Sequence, residues 1–490
     1  MIFNSYIFIF LFLPVTLLLF RITGKRLGYR SSVGILCIAS FLYYAWWNPP
    51  YLVLLLASIL FNFYHAKIIA KSDRKKLQLL VGISVNLFLL GYFKYAGFLV
   101  SNINSIFDQT YNLGSILLPI GISFFTFQQI AYLCDVTKEG ESKYGFREYV
   151  LFVTFFPQLI AGPIVHHKEM MPQFQNKAQD TDLNFAIGAT LFVIGLSKKV
   201  ILADNLAPHA SQIFDHAANG VLFNVFEAWI ACFAYTFQLY FDFSGYSDMA
   251  LGVAAMFGIF LPANFLSPYK ATSLIDFWRR WHITLSRFLK EYLYIPLGGN
   301  RKGKSRELAN LLITMAIGGL WHGANWTFVV WGILHGIGLS INHLLSKLGL
   351  IAMPKLLGGF ITFIFVSLCW VLFRAESFDA ALLMLSTMSC TDGLILPIEM
   401  RHAVHLEQVG YAGEFHKTPI AWIIFSGLIA FLAPNSIQII NSKKFSPIHI
   451  APLTRLAWKP TKLWLVIIIL LFIGCLLNMS GLSEFLYYQF

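Results

Sequence analysis

The chain has 490 residues, 57% of them hydrophobic and only 12% charged, with a mean hydropathy of +0.66. A soluble domain carries about 25% charged residues, so this composition excludes an ordinary water-soluble globule. The net charge of +12 does not point to nucleic acid, because the basic residues fall in short clusters between apolar runs.

Residues 2–20 form the first apolar run. Its first basic residue, Arg21, follows the run instead of preceding it, so the segment reads as a retained span and not as a cleavable signal. Arg21, Lys25, Arg26 and Arg30 mark the cytoplasmic side by the excess of positive charge. Residues 31–47 then return outward to an aromatic-proline turn at 43–50. Residues 51–70 lead back to the basic patch Lys71, Arg74, Lys75 and Lys76, and 77–93 lead out to a polar, nearly uncharged loop at 94–114. By the same count the clusters at Lys198-Lys199, 301–306, 443–444 and 455–462 lie inside. Both termini and the polar segment 391–418 lie outside. Runs of about 18 residues suffice to cross a bilayer, and 420–434 with its flanks and 463–479 add further candidates.

Apolar runs that are continuous, without the alternation of barrel strands, predict an all-α polytopic transmembrane helical bundle. We expect about 11–14 membrane segments, some broken or re-entrant, around a central channel. Pro119, Pro157, Pro163, Pro262, Pro268 and Pro296 interrupt the middle of the chain. Broken helices at membrane depth belong against protein or a water-filled cavity, so residues from about 115 to 345 read as the cavity-lining core. No internal repeat or linker divides residues 1–490, which read as a single domain. Residues 307–346 would measure roughly 60 Å as one helix, twice the hydrocarbon thickness, so they must turn back, most naturally at Gly323-Ala324-Asn325.

The chain lacks a Walker loop, a Gly-x-Ser-x-Gly elbow and a His-Glu-x-x-His motif. Gly336-x-Gly338 lies inside an apolar span and reads as helix packing. The six cysteines are scattered without a CxxC pair, and no metal site is expected. His402 and His405 have metal-like spacing but no clear further ligands. His166, His167, His335 and His343 read as ordinary. Two other histidines stand out. His282, in Asp276-Phe277-Trp278-Arg279-Arg280-Trp281-His282-Ile283-Thr284, and His322, in Gly318-Gly319-Leu320-Trp321-His322-Gly323, are flanked by aromatic and apolar residues that remove bulk water. An imidazole in such surroundings needs a partner, a cavity or a task, and proton transfer near neutrality is the task it suits. Counted from Arg306, His322 lies about 24 Å along its helix, toward the outer half of the membrane, whereas His282 falls nearer the cytoplasmic face.

The ordered motifs resemble the membrane-bound O-acyltransferase family, in particular its bacterial alginate O-acetyltransferase-like branch. They are Leu118-Pro119-Ile120-Gly121-Ile122-Ser123-Phe124-Phe125-Thr126-Phe127, Phe155-Phe156-Pro157-Gln158-Leu159-Ile160-Ala161-Gly162-Pro163, Phe241-Asp242-Phe243-Ser244-Gly245-Tyr246-Ser247-Asp248, the stretch 276–284, Tyr294-Ile295-Pro296-Leu297-Gly298-Gly299-Asn300 and the stretch 319–323. The resemblance implies a multi-pass enzyme of the bacterial cytoplasmic (inner) membrane. It would pass an acetyl group from acetyl-CoA or another cytoplasmic acyl thioester to an extracytoplasmic polysaccharide such as alginate, with an esterase-like acyl-relay partner protein on the outer side. It implies His322 as the central catalytic residue and His282 as the second. Membrane lipids and the thioester donor complete the expected partners.

Around these two, Trp278, Trp281 and Trp321 are expected to support the site. Asn325, Trp321 or backbone N–H groups at the Gly323 break would orient the acyl carbonyl. Arg279, Arg280, Lys290 and the 301–306 cluster either meet the donor's phosphates or anchor the interface. Asp242, Tyr246 and Asp248 either line the acceptor path or satisfy broken backbone. Two rival readings stay open: acylation of another acceptor such as peptidoglycan, teichoic acid or a lipid, and a transporter or flippase built on broken helices.

Overall fold

A backbone that crosses hydrocarbon must satisfy its polar groups within one segment, and helices do so. In the computed structural model, described over residues 1–141, 143–178, 181–349, 354–391, 393–402, 410–412, 417–442, 444–445, 457–479 and 485–486, helix follows helix. They are α1 (Phe8–Arg26), α2 (Tyr29–Ala45), α3 (Pro49–Lys71), α4 (Lys75–Phe107), α5 (Ile122–Glu139), α6 (Phe146–Thr154), α7 (His167–Gln175), α8 (Thr181–Ala218) and α9 (Val225–Met256). Next come α10 (Leu274–Trp278), α11 (Ile283–Leu289), α12 (Lys304–His322), α13 (Trp326–Lys347), α14 (Lys355–Arg374), α15 (Phe378–Ser389), α16 (Lys417–Leu432) and α17 (Lys462–Asn478). A two-residue parallel pairing joins Ile395–Leu396 to Gly410–Tyr411.

Six helices among the described residues, α1, α3, α4, α8, α13 and α14, are long and apolar enough to cross a membrane, and α15, α16 and α17 are shorter apolar helices. Residues 31–47, counted as a span from the sequence, are helical as α2, which at 17 residues is shorter than those six. Local signals set the boundaries. Pro49 and Pro50 open α3, where a missing N–H costs nothing. Asn224 and Glu227 form a reciprocal capping box at the start of α9. The expected reversal within 307–346 falls where the glycine break placed it: α12 ends at His322 and Asn325 caps α13 by accepting from the Thr327 N–H.

Glycines let these helices meet backbone to backbone. A Cβ at Gly319 would run into the Phe328 carbonyl and one at Gly332 into the Met315 carbonyl, which locks α12 against α13. Gly188 faces Gly252 and Gly195 faces Gly245 in the same way between α8 and α9. Gly336 and Gly338 are packing positions too, against Leu312 and against Leu274 with Phe365.

Two expectations about topology are overturned. Lys198-Lys199 is not a cytoplasmic loop. Both residues lie within α8, on a wide π-helical turn at Lys198–Ala203, and Lys199 is buried. Residue 94 does not begin an outer loop either, because α4 continues to Phe107 through a second such turn at Gly91–Tyr95. In both places a lysine placed outside the bundle by the sequence reading makes its contacts within it. The clusters at 443–444 and 455–462, the segment 391–418 and the His402/His405 pair reach into residues outside the described ones, at Lys443, 446–456, 392, 403–409 and 413–416.

The buried side chains form two aromatic-rich cores. One gathers α1 to α7 with the first part of α8, the last part of α9, and Trp321. The other gathers the first part of α9 with Trp281, Trp331 and Trp370. His282 and His322 sit where these two cores abut.

Candidate active site

The segment carrying His282 folds back on itself. After α9 the chain runs without helix past Asn264, turns through α10, and comes back alongside itself. The Ile283 N–H donates to the Asn264 carbonyl at 3.0 Å and the Leu266 N–H to the Arg280 carbonyl at 2.9 Å. His282 is the hinge between α10 and α11 and takes φ +42°, ψ +53°, a left-handed backbone that costs a non-glycine residue about 1–2 kcal/mol. Such strain persists only where the surroundings hold it, which is commonest at functional sites.

Asn264 does much of the holding. Its Oδ1 accepts from the Thr284 N–H at 3.2 Å and from Thr284 Oγ1 at 2.9 Å, and it meets His282 Nδ1 at 3.2 Å. A backbone N–H can only donate, so the atom it meets is the amide oxygen, and His282 Nδ1 must carry the proton. In the neutral ring Nε2 is then the basic nitrogen. No sequence motif marks Asn264. Its signal was a lone amide among apolar residues in Pro262-Ala263-Asn264-Phe265. Replacing Asn264 by Ala removes the common acceptor of three groups. We expect a stability loss of about 1–3 kcal/mol with a fall in acyl transfer, whereas Asn264→Asp, which retains the acceptor, should lose less. Thermal melts and transfer rates of both variants check this, and equal losses would contradict the assignment.

His322 is the last residue of α12 and only 5% exposed. Trp331 and Phe373 meet its ring edge-to-face at 5.3 and 5.2 Å, and Trp321 does so at 5.0 Å. The His282 ring, fully buried, lies with its centroid 6.4 Å from that of His322. The expectation that His282 lies apart from His322 is therefore wrong. Counting along an assumed straight path missed the fold-back, which carries residue 282 to the end of α12. The rings are too far apart to bond each other directly and close enough to share one reacting group.

The remaining expected residues divide by location. Trp321 is buried, stacked on Phe127 at 5.2 Å and close to the His282 ring at 6.3 Å. Trp281 packs against Phe265, Phe277 and Trp370 behind His282. Trp278 donates its Nε1–H to His335 Nδ1 at 3.3 Å. His335, read as ordinary, thus joins the same shell, 4.7 Å from Trp331 by ring centroids. Arg279 is exposed, as are residues 301–306, and Arg280 is paired with Asp276 at 2.8 Å. Asn325 has its amide engaged at both ends, by the cap on α13 and by donation to the Glu376 carbonyl at 3.0 Å. Asp242 and Tyr246 also stand apart from the imidazoles. Asp242 is ion-paired with Lys199 at 2.7 Å, and Tyr246 stacks on Phe3 at 5.0 Å. Their neighbour Phe243 is the α9 residue that meets His282, edge-to-face at 4.8 Å. Lys94 and Tyr95, which the sequence reading placed at the start of an outer loop, reach the end of α12 instead. Lys94 Nζ donates to the Trp321 and His322 carbonyls and Tyr95 Oη to the Leu320 carbonyl. Among the described residues no group of three or more His, Cys, Asp or Glu is gathered as metal ligands are.

Residues 138–357 match the family model of the membrane-bound O-acyltransferases. The chain is 46% identical over 431 residues to a peptidoglycan O-acetyltransferase of Helicobacter pylori, covering 81% of each chain. It is 43% identical over 402 residues to a probable alginate O-acetylase of Pseudomonas aeruginosa, covering 79% of this chain and 75% of that one. A teichoic acid D-alanyltransferase of Streptococcus thermophilus is 31% identical over 289 residues, 53% of this chain and 69% of its own.

Proposed function

The chain belongs to the membrane-bound O-acyltransferase family, and from that premise we propose that it passes an acetyl group from acetyl-CoA, or another cytoplasmic acyl thioester, across the bacterial cytoplasmic membrane to a hydroxyl of an extracytoplasmic polysaccharide. It is a multi-pass membrane acyltransferase, which removes the transporter from contention. The observation that carries the finer reading is the meeting of His282 and His322, two buried imidazoles from separate elements, 6.4 Å apart at the junction of the two cores.

Transfer from a thioester to an alcohol needs a base for the hydroxyl proton, stabilisation of the tetrahedral oxyanion, and a proton for the leaving thiolate. His322 takes the hydroxyl proton as the oxygen attacks the thioester carbon, and returns it to the sulfur as the C–S bond breaks. His282, its Nδ1–H fixed by Asn264, presents Nε2 to the same space. Arg279 and the exposed 301–306 cluster supply cations for a donor's phosphates. Because His322 is enclosed by Trp321, Trp331 and Phe373, and His282 by Phe243, Phe265 and Trp321, the reaction requires some of these side chains to part for the acyl group. An esterase-like partner on the outer side would carry the group onward to the polymer.

The named relatives act on alginate, peptidoglycan and teichoic acid. Two acceptors are therefore in play, an exopolysaccharide such as alginate and, favoured by the 46% identical relative, peptidoglycan. Alkali-released acetate from purified peptidoglycan and from exopolysaccharide, in cells carrying wild-type or His322→Ala protein, separates them. One polymer should lose most of its ester acetate. Unchanged acetate in both would defeat the polysaccharide assignment.

A further inference from the structure

We infer that Lys94 is a positioning residue for His322, its ammonium closing the end of α12 and thereby fixing where that imidazole is held. The inference rests on the reading that His322 transfers the proton. A helix leaves its last four carbonyls without intrahelical partners, and the residue at that end is the first to fray. His322 is that residue in α12, and Gly323 follows it in extended backbone, φ −158°, ψ 149°, so no turn of the chain itself secures the end.

α4 secures it. Lys94 Nζ donates to the Trp321 carbonyl at 2.6 Å and to the His322 carbonyl at 3.1 Å, and it reaches Ser123 Oγ of α5 at 3.3 Å. Those three contacts use the three donors of an ammonium group. Tyr95 Oη donates to the next carbonyl back, that of Leu320, at 2.9 Å. Two consecutive residues of a regular helix do not share a face. The wide turn Gly91–Tyr95 aligns Lys94 and Tyr95 on α12, and π-helical turns of this kind are frequent at functional sites.

The other lysines within the bundle show why Lys94 is unusual. Lys198 is paired with Asp248 at 2.6 Å, and Lys199 with Asp242 and Asp204 at 2.7 and 2.8 Å. Among the described residues Lys94 has no carboxylate within ion-pairing distance. Its charge is met by the negative end of α12 and by the Trp321 ring, whose centroid is 5.8 Å from Nζ. A neutral donor suffices to cap a carbonyl, as Tyr95 does. Desolvating a cation to cap the two carbonyls nearest the catalytic imidazole is the costlier choice, and it gains a stronger, charge-assisted grip at the one place where position governs rate.

The test uses full-length protein in membranes of cells that supply the outer acyl-relay partner, with radiolabelled acetyl-CoA and isolated cell-envelope polysaccharide as acceptor and rates normalised to folded protein, comparing wild type with Lys94→Met, Lys94→Arg, Tyr95→Phe and His322→Ala. Gel filtration and melting curves establish that each variant is folded. Lys94→Met should lower kcat about 100-fold, the effect of a misplacement on the order of 1 Å, with KM for acetyl-CoA within about twofold of wild type. Lys94→Arg, which keeps charge and donors, should recover at least about a tenth of kcat, and Tyr95→Phe should cost less than about threefold. A folded Lys94→Met with wild-type kcat, beside an inactive His322→Ala, overturns the inference and leaves the catalytic reading in place. A raised KM with unchanged kcat also overturns it, by placing Lys94 in donor binding. A fully active His322→Ala overturns the catalytic reading itself. If Lys94→Met does not fold, Lys94→Arg is set against Lys94→Gln: a kcat about tenfold higher for Arg supports the inference, and equal values overturn it.

Discussion

Replacing Lys199 by Met should destabilise the protein by about 3–5 kcal/mol, the cost of leaving a buried charge without its partner. Lys199 is 3% exposed and Asp242 is 2% exposed, and their side chains meet at 2.7 Å between α8 and α9. Asp242 also accepts the Leu486 N–H at 3.0 Å, so its carboxylate is held from two sides and has no route to water. Taking away the ammonium strands that carboxylate. Removing both, as in Lys199→Met/Asp242→Leu, should recover most of the loss, because an apolar pair of similar volume has no desolvation to offset. Melting temperatures of the single and double variants in detergent measure this, and an unchanged melting temperature for Lys199→Met contradicts it. The double variant also decides the role of Asp242. If its carboxylate only secures helices, the folded double variant keeps its transfer rate. If it lines the acceptor path, transfer falls while the melting temperature recovers.

Removing either imidazole should lower acyl transfer by about 10²–10⁴-fold, and removing both should cost little more than removing one. Groups that serve one reacting centre act as a unit, and His282 and His322 face each other across 6.4 Å with Trp321 beside both rings. Independent roles in two distant steps would instead give losses that multiply. Single-turnover rates of His282→Ala, His322→Ala and the double variant distinguish the two cases.

The sequence made the class and the chemistry legible. Continuous apolar runs required helices, the glycine break located the α12–α13 reversal, and two histidines in dry surroundings marked the candidate site. It did not show that they touch. Their meeting depends on a left-handed residue at 282 and on Asn264, features with no period and no motif. Two lysines were misread. The sequence reading makes Lys199 a cytoplasmic marker and Lys94 the start of an outer loop, although both lie within helices, where lysine is costly unless partnered. Two clues in the chain pointed the other way. Asp242 and Asp248, in another apolar stretch, needed cations of their own, and Lys94 stood inside Gly91-Tyr92-Phe93-Lys94-Tyr95, where no neighbouring charge extends the cluster. A cation that sits alone among aromatic residues, or that has a matching carboxylate in another apolar segment, is better read as an interior partner than as an orientation signal.

The proposed chemistry moves a proton at the end of α12. The rate at which folded His322→Ala protein, in membranes that retain the outer relay partner, transfers acetyl from acetyl-CoA to polysaccharide tests it most directly. A fall of at least about 100-fold, with the melting temperature held, is the predicted result. A rate equal to wild type would place the chemistry elsewhere.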